Sequence, residues 1–417
     1  MMKRMIWILL FGALATRLPA QEPWSLDRCI RYALEHNLDL QEKNVETDIQ
    51  RAELLQRRLA HLPVLSAQLV QEYNGGRATS ASVSASLPLF EGFSRHFQRL
   101  SAQKGVEVAM LEAQDLRIAL ETDITRAYLE LMLAKQMLNY ACESHATIVR
   151  QRDRTAQLVE AGSQPKSALS EMEAQVAAER AEMVTAECRV RTATLALTRL
   201  MNLPPDTPFA TGERFGQDSV AVRVTLITDS QAERYLQTDP RIRGAQARIA
   251  QLRHQESAAK GGFLPSISLT AGYGTFYSST LDTPFKTQLD ENRNHSVSLN
   301  LNIPIFNAWQ NATALKKSRL ALELARLDAE KMRTAVRDEI RSTGIEADNC
   351  LQRYLSSEET LQAMQQLLDV TEAKYNLGAA TALDYIVARN KRFKAATDYL
   401  QAKWQYLFQL KLLERYR

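Results

Sequence analysis

Two periods alternate along this chain. In Ser296-Val297-Ser298-Leu299-Asn300-Leu301-Asn302-Ile303-Pro304-Ile305 every odd position is apolar, and the even ones are polar until Pro304. Ser82-Val83-Ser84-Ala85-Ser86-Leu87 follows the same rule and continues into Pro88-Leu89-Phe90. Such alternation predicts strands with one apolar face, and about ten residues is the length of a strand that crosses a membrane. Partner strands are predicted at Val64 to Tyr73 and Ser266 to Phe276. A short link with Gly75-Gly76 closes the first hairpin. A longer loop, roughly 277–295, closes the second and carries Asp282, Lys286, Asp290 and Arg293.

Elsewhere the period is helical. Leu322, Ala325, Ala329, Met332 and Val336 recur with 3-4-3-4 spacing, the mark of a narrow coiled-coil seam, and Leu400, Trp404, Leu407 and Leu410 share one helical face. Proline punctuates the chain. All twelve lie at 19, 23, 63, 88, 165, 204, 205, 208, 240, 265, 284 and 304, so 89–164 and everything after Pro304 are free of helix breakers. Both stretches are rich in Ala, Leu, Glu, Gln and Arg, good helix formers. Two helices of about 65 residues follow, each about 100 Å long at 1.5 Å per residue. The ordinary alternative for the strands is a half-buried soluble sheet, but helices of that length leave little core for such a sheet to cover.

The two halves of the chain match. Asn37, Leu62-Pro63 and Ser66 recur as Asp239, Leu264-Pro265 and Ser268 at a constant offset of 202. Leu87-Pro88-Leu89-Phe90 recurs as Ile303-Pro304-Ile305-Phe306 at an offset of 216, as does Gly162 as Gly378. The change of 14 falls in the hairpins, because loops tolerate insertions that packed helices do not. The expected organisation is a first repeat over 21–202, with a hairpin at about 64–90 and helices at about 93–160 and 165–201. A joint at 203–229 follows, then a second repeat over 230–417 with a hairpin at about 266–306 and helices at about 309–376 and 381–416.

Residues 1–20 have the form of a secretory signal peptide. Lys3 and Arg4 precede an apolar run, Ile6 to Ala15, too short to span a bilayer, and cleavage is placed after Ala20 despite the large Leu18. Three of the 52 basic residues (Lys3, Arg4, Arg17) fall in this segment, which leaves 49 against 48 acidic ones. That balance argues against nucleic acid as a partner. Cys29, Cys142, Cys188 and Cys350 are dispersed with no CxxC pair, and the six histidines are scattered, so neither set suggests a metal or redox site. The chain has no GxSxG, P-loop, HExxH or GxGxxG pattern, and no enzyme activity or cofactor is expected. A periplasmic adaptor, the other alternative, would carry one helical hairpin rather than two matched copies with amphipathic strands.

One chain supplies four membrane strands, whereas single-chain barrels begin at about eight, so closure requires further copies of the chain. At this point the sequence resembles the outer-membrane efflux protein family, the TolC-like channels. The likeness rests on the opening segment from Ser25 to Asn37, the duplication, both Leu/Ile-Pro-Leu/Ile-Phe strand exits and the glycine turns. Cys29 stands where the family usually has Ala. The resemblance implies a mainly α protein with a transmembrane β part. It also implies a homotrimer, whose twelve-stranded β-barrel continues into a twelve-helix periplasmic α-barrel. The partners it implies are a periplasmic adaptor, an inner-membrane transporter and outer-membrane lipid. Cargo would pass from the periplasmic end to the exterior of a Gram-negative cell.

The family's second turn reads Tyr-x-x-Gly with Asp six residues after the Gly, matched by Tyr375-Asn376-Leu377-Gly378 and Asp384. The resemblance thus makes Asp384 and Tyr375 pore-gate residues and the turns at Gly162 and Gly378 the adaptor-docking tips. Two family positions differ, with Ala380 in place of Arg and Val387 in place of a second acid, and the first copy has Ala168 where the second has Asp384. Asp384 also has a plainer reading as a helix-start residue favoured by the local dipole, and both glycines as turn residues that need positive φ.

Overall fold

The computed structural model describes residues 23–73, 76–204, 207–212 and 228–416. The segment read as a signal peptide, Gly75 of the first hairpin link and much of the 203–229 joint lie outside them. Helices α1 (Leu26–His36) and α2 (Leu38–Leu59) precede strands β1 (Val64–Tyr73) and β2 (Arg77–Glu91), then α3 (Ser94–Glu160) and α4 (Lys166–Leu200). The second series runs α5 (Asp229–Thr238), α6 (Pro240–Gly261), β3 (Ser266–Ser278), α7 (Phe285–Glu291), β4 (Asn294–Asn302), α8 (Gln310–Asn376) and α9 (Ala382–Arg415). α3 and α8 have 67 residues each. The helix α7 occupies the segment the sequence leaves as a loop.

Helix ends follow the local chemistry. Ser25 accepts from the Arg28 amide, and Thr228 and Gln231 form a reciprocal capping box. Asn37 separates α1 from α2, and its counterpart Asp239 separates α5 from α6. Asp239 accepts from the Arg241 and Ile242 amides, and Pro240 sits at the first helical position, where its missing N–H costs nothing.

The chain forms two compact units, and each takes residues from both sequence halves. One unit lies within 1–38, 118–227 and 342–417. Its largest core gathers Trp24, Cys29, Ile124, Tyr128, Leu197 and Trp404. Cys29 is fully buried, and that desolvation pushes its thiol up to about 12, so it packs as a small hydrophobe. A second cluster of this unit holds Ile148, Ala168, Met172, Tyr375 and Tyr385. Next to these residues is a buried ion pair. Arg389 of α9 donates to Glu179 of α4 at 2.7 Å and to the carbonyl and hydroxyl of Ser144 of α3 at 2.5 and 2.7 Å. The two charged side chains are only 7% and 6% exposed.

The other unit lies within 39–117 and 228–341 and contains the sheet. Leu252, Leu322 and Ala325 form one of its cores, and Val336 of the same seam is fully buried, while Met332 is turned outward. Arg241 bonds Asp239 at 2.9 Å and Glu339 of α8 at 2.6 Å, which fixes the start of α6. Where strands pass into helices the backbone enters the left-handed region twice. Gly92 and Phe93 have φ of 58° and 63°, and their repeat partners Ala308 and Trp309 have 48° and 65°. A Cβ on Gly92 would meet the Gly261 carbonyl oxygen at 2.3 Å, so glycine is required there for the close backbone approach.

Arg389→Met leaves the Glu179 carboxylate buried without its counter-ion. We expect a loss of about 3–5 kcal/mol, read as a lowered midpoint when helix content is followed during denaturant unfolding in detergent. Adding Glu179→Leu to Arg389→Met should restore most of it, because a paired apolar replacement removes the stranded charge.

Candidate functional site

Two places bear on function: the sheet in one unit and the paired helix turns in the other. The sheet is antiparallel throughout in the order β1-β2-β3-β4, so β1 and β4 are both open edges. Residues in register share a face, and the rows separate by chemistry. Leu65–Ala85–Ala271–Val297 and Ala67–Val83–Tyr273–His295 run across one face. Ser66–Ser84–Gly272–Ser296 and Gln68–Ser82–Gly274–Asn294 run across the other. On the first face Leu65, Leu69, Val297 and Leu299 are 66–75% exposed, a large apolar surface that none of the described residues covers. Polar members of that face, among them Gln71, Arg77, Thr79 and His295, cluster toward the hairpin ends of the strands.

Exposed aromatic side chains, Phe93, Phe306 and Trp309, stand at the helix end of the strands, with Tyr73 at the opposite end. β2 continues through Pro88 to Glu91 by a register shift between Pro88 and Phe90, whereas β4 stops at Asn302. The alternation predicted to run on to Ile305 therefore ends early. Pro304 has no N–H to offer the ladder, and Ile303, Ile305 and Phe306 stand exposed beyond it.

In the second hairpin α7 is tied to the sheet by Gln288, which is buried. Its side chain accepts from the Ser278 amide at 2.8 Å and donates to the carbonyls of Ser278 and Thr283 at 3.0 and 2.8 Å. The larger second loop is thus an ordered element, and no periodicity in so short a segment could have revealed it.

The two helix turns are built alike. After α3 the Ser163 amide donates to Leu158 O at 2.8 Å and the Gly162 amide to Val159 O at 3.0 Å. After α8 the Ala379 amide donates to Lys374 O at 2.8 Å and the Gly378 amide to Tyr375 O at 3.0 Å. Each is a Schellman ending, and the glycines take φ of 74° and 75°. Apart from its chain neighbours, no atom of the described residues lies within 4 Å of a Cβ placed on either glycine, so both turn tips are open. The exit from each turn differs. Pro165 precedes α4 with no side-chain cap, while Thr381 and Asp384 form a capping box at α9.

Asp384 Oδ2 accepts from the Thr381 amide and hydroxyl at 3.0 and 2.7 Å. These bonds, the hydroxyl first, hold its carboxyl below the usual carboxylate range. The group is exposed and ionised at neutral pH, so it both starts a helix and presents a charge. Its repeat partner Ala168 is buried against Met172 and Tyr385. Tyr375 is buried, stacked on Tyr385 at 5.4 Å. Its hydroxyl is 3.1 Å from Thr155 Oγ1 of α3 and donates to Gln164 Oε1 at 3.3 Å.

Arg389 belongs to no motif of the sequence. A signal was present, because Arg389 falls four residues after Tyr385 and three after Ile386, a charge within an apolar stripe. Its partner Glu179, 210 residues away, had no such mark. All four cysteines are unpaired, Cys29 and Cys350 buried and Cys142 and Cys188 exposed. Among the described residues no His, Cys, Asp or Glu group converges as a metal site, and no helix is long and apolar enough to cross a membrane.

The outer membrane efflux protein family model matches residues 29–203 and 232–416. The outer membrane protein TolC of Vibrio cholerae is 22% identical to the chain, over 97% of this chain and 93% of its own length. The fold is also similar to solved structures. The CmeC outer membrane channel of Campylobacter jejuni has a TM-score of 0.81 at 16% identity, covering 94% of this chain and 85% of that one. A membrane protein of Pseudomonas aeruginosa has a TM-score of 0.80 at 20% identity, covering 95% and 94%. The two-faced sheet, the duplicated turns and these matches lead to one conclusion: the chain belongs to the outer membrane efflux protein family, as an outer-membrane channel protein.

Proposed function

We propose that the chain forms a homotrimeric exit duct for a tripartite efflux pump or a type I secretion system. In this reading three four-stranded sheets close into a twelve-stranded barrel, continued by twelve helices as a tunnel in the periplasm. The observation that carries it is the sheet: one face apolar and uncovered, the other polar, with both edges open. In lipid every backbone N–H and C=O needs a partner, which an open four-stranded sheet lacks and a closed ring of copies provides. The apolar face then meets lipid and the serine- and asparagine-bearing face lines the pore. Phe93, Phe306 and Trp309 suit the membrane–water boundary, where barrels carry girdles of aromatic residues.

Asp384 is proposed as a ring of carboxylates, one per copy, at the constriction near the turns. A ring of like charges favours cations and retards anions. Tyr375 is proposed to hold the closed arrangement by tying α8 to α3 through Thr155. The open tips at Gly162 and Gly378 are proposed to dock a periplasmic adaptor, which links the duct to an inner-membrane transporter. Support for the tips comes from their shared geometry and from the exposure of Leu377, 84% accessible beside Gly378.

The purified mature chain is expected to conduct in planar lipid bilayers. Asp384→Ala should lower its cation selectivity and its block by multivalent cations, and unchanged values in conducting channels would remove Asp384 from the gate. Cysteines placed at Ser163 and Ala379, in a chain whose exposed Cys142 and Cys188 are replaced by Ser, should cross-link to the tip of an adaptor. Capture only by cysteines within 203–229 would place docking elsewhere.

A further inference from the structure

The polar face of the sheet is nearly free of charge. Among the described residues only Glu72 and Glu91 are ionisable there, and they lie at opposite ends of the strands. Glu91 is neutralised by Arg95 at 2.8 Å. Between them run mainly hydroxyls and amides, led by the alternate serines Ser80, Ser82, Ser84 and Ser86 of β2, with Val70 and Phe276 as apolar members in the row of Ser80. Two pairs of these groups bond across strands: the Ser66 and Ser84 hydroxyls are 2.8 Å apart, and Asn300 Nδ2 donates to Thr270 Oγ1 at 3.3 Å. Gly272 and Gly274 keep the middle rows low.

Hydroxyl and amide groups act as donors and as acceptors. They can therefore solvate cations, anions and neutral polar groups alike, whereas sorting by sign needs a field of one sign, from charged side chains or from carbonyls and dipoles all aimed one way.

We infer that the strand section of the duct is a charge-neutral, hydroxyl- and amide-lined passage that does not sort cargo by the sign of its charge. It accepts hydrogen-bonding solutes of either sign, and charge selection is left to the helical section. The inference rests on the channel reading above and goes beyond it by assigning what the membrane section does to its cargo.

The test uses the full mature chain in planar bilayers with a potassium chloride gradient. Glu72→Gln is expected to leave the reversal potential where the parent chain has it. Ser84→Asp and Ser84→Lys should move it in opposite directions, toward the cation and anion limits respectively, because each brings charge to a neutral lining. Ser296, in the same row on β4, provides a second pair of variants should the Ser84 ones not assemble. A shift in Glu72→Gln as large as that in Asp384→Asn would overturn the inference, since the strand section would then carry a charge filter of its own. Conducting channels indifferent to charge at both Ser84 and Ser296 would overturn it too, as the polar face would not line the passage. Absence of conductance in every form, the parent chain included, would instead remove the channel reading and the inference with it.

Discussion

The structure depends on one constraint: a backbone polar group placed in hydrocarbon must find its partner within protein. Each chain ends its sheet at β1 on one side and β4 on the other, both antiparallel edges with unmatched donors and acceptors. An edge of this kind in water invites aggregation, and in lipid its unpaired groups cost several kcal/mol apiece. The exposed leucines and valines of one face deepen the problem, because water penalises them as lipid penalises the edges. Joining edges between copies within a membrane answers both demands at once. Assembly, on this view, is part of how the chain completes its fold.

Duplication supplies the material for that solution, and the differences between the copies show where the chain is specialised. The Schellman turns at Gly162 and Gly378 and the left-handed passages at Gly92-Phe93 and Ala308-Trp309 are common to both halves. Yet Ala168 is a buried packing residue where its counterpart Asp384 is an exposed, hydrogen-bonded carboxylate. The second hairpin alone carries α7 and its Gln288 anchor. Arg389 joins helices of both halves through Glu179 and Ser144, a cross-link with no equivalent in the repeat, since Glu173 occupies the matching position.

Much of this was legible in the residues. The alternation in 82–87 and 296–302 marks strands because the period is two and one face is wholly apolar, and the long proline-free stretches mark α3 and α8. Register was not legible, because pairing of β2 with β3 joins segments about 190 residues apart, and nothing local specifies it. The neutrality of the polar face emerges only once that register is known. Cap geometry was half legible: Asp384 could be read as a helix-start residue or as a pore charge, and its bonds to Thr381 make it the first without excluding the second. α7 and the Arg389–Glu179 pair escaped, the one too short for periodicity and the other made by partners far apart in sequence.

The account's central claim is that the sheet closes by association of chains, and the native mass of the detergent-extracted protein from the outer-membrane fraction tests it most directly. A protein mass of three mature chains is predicted. A soluble monomer that needs no detergent would contradict the claim, because its open edges and apolar sheet face would then be stable in water.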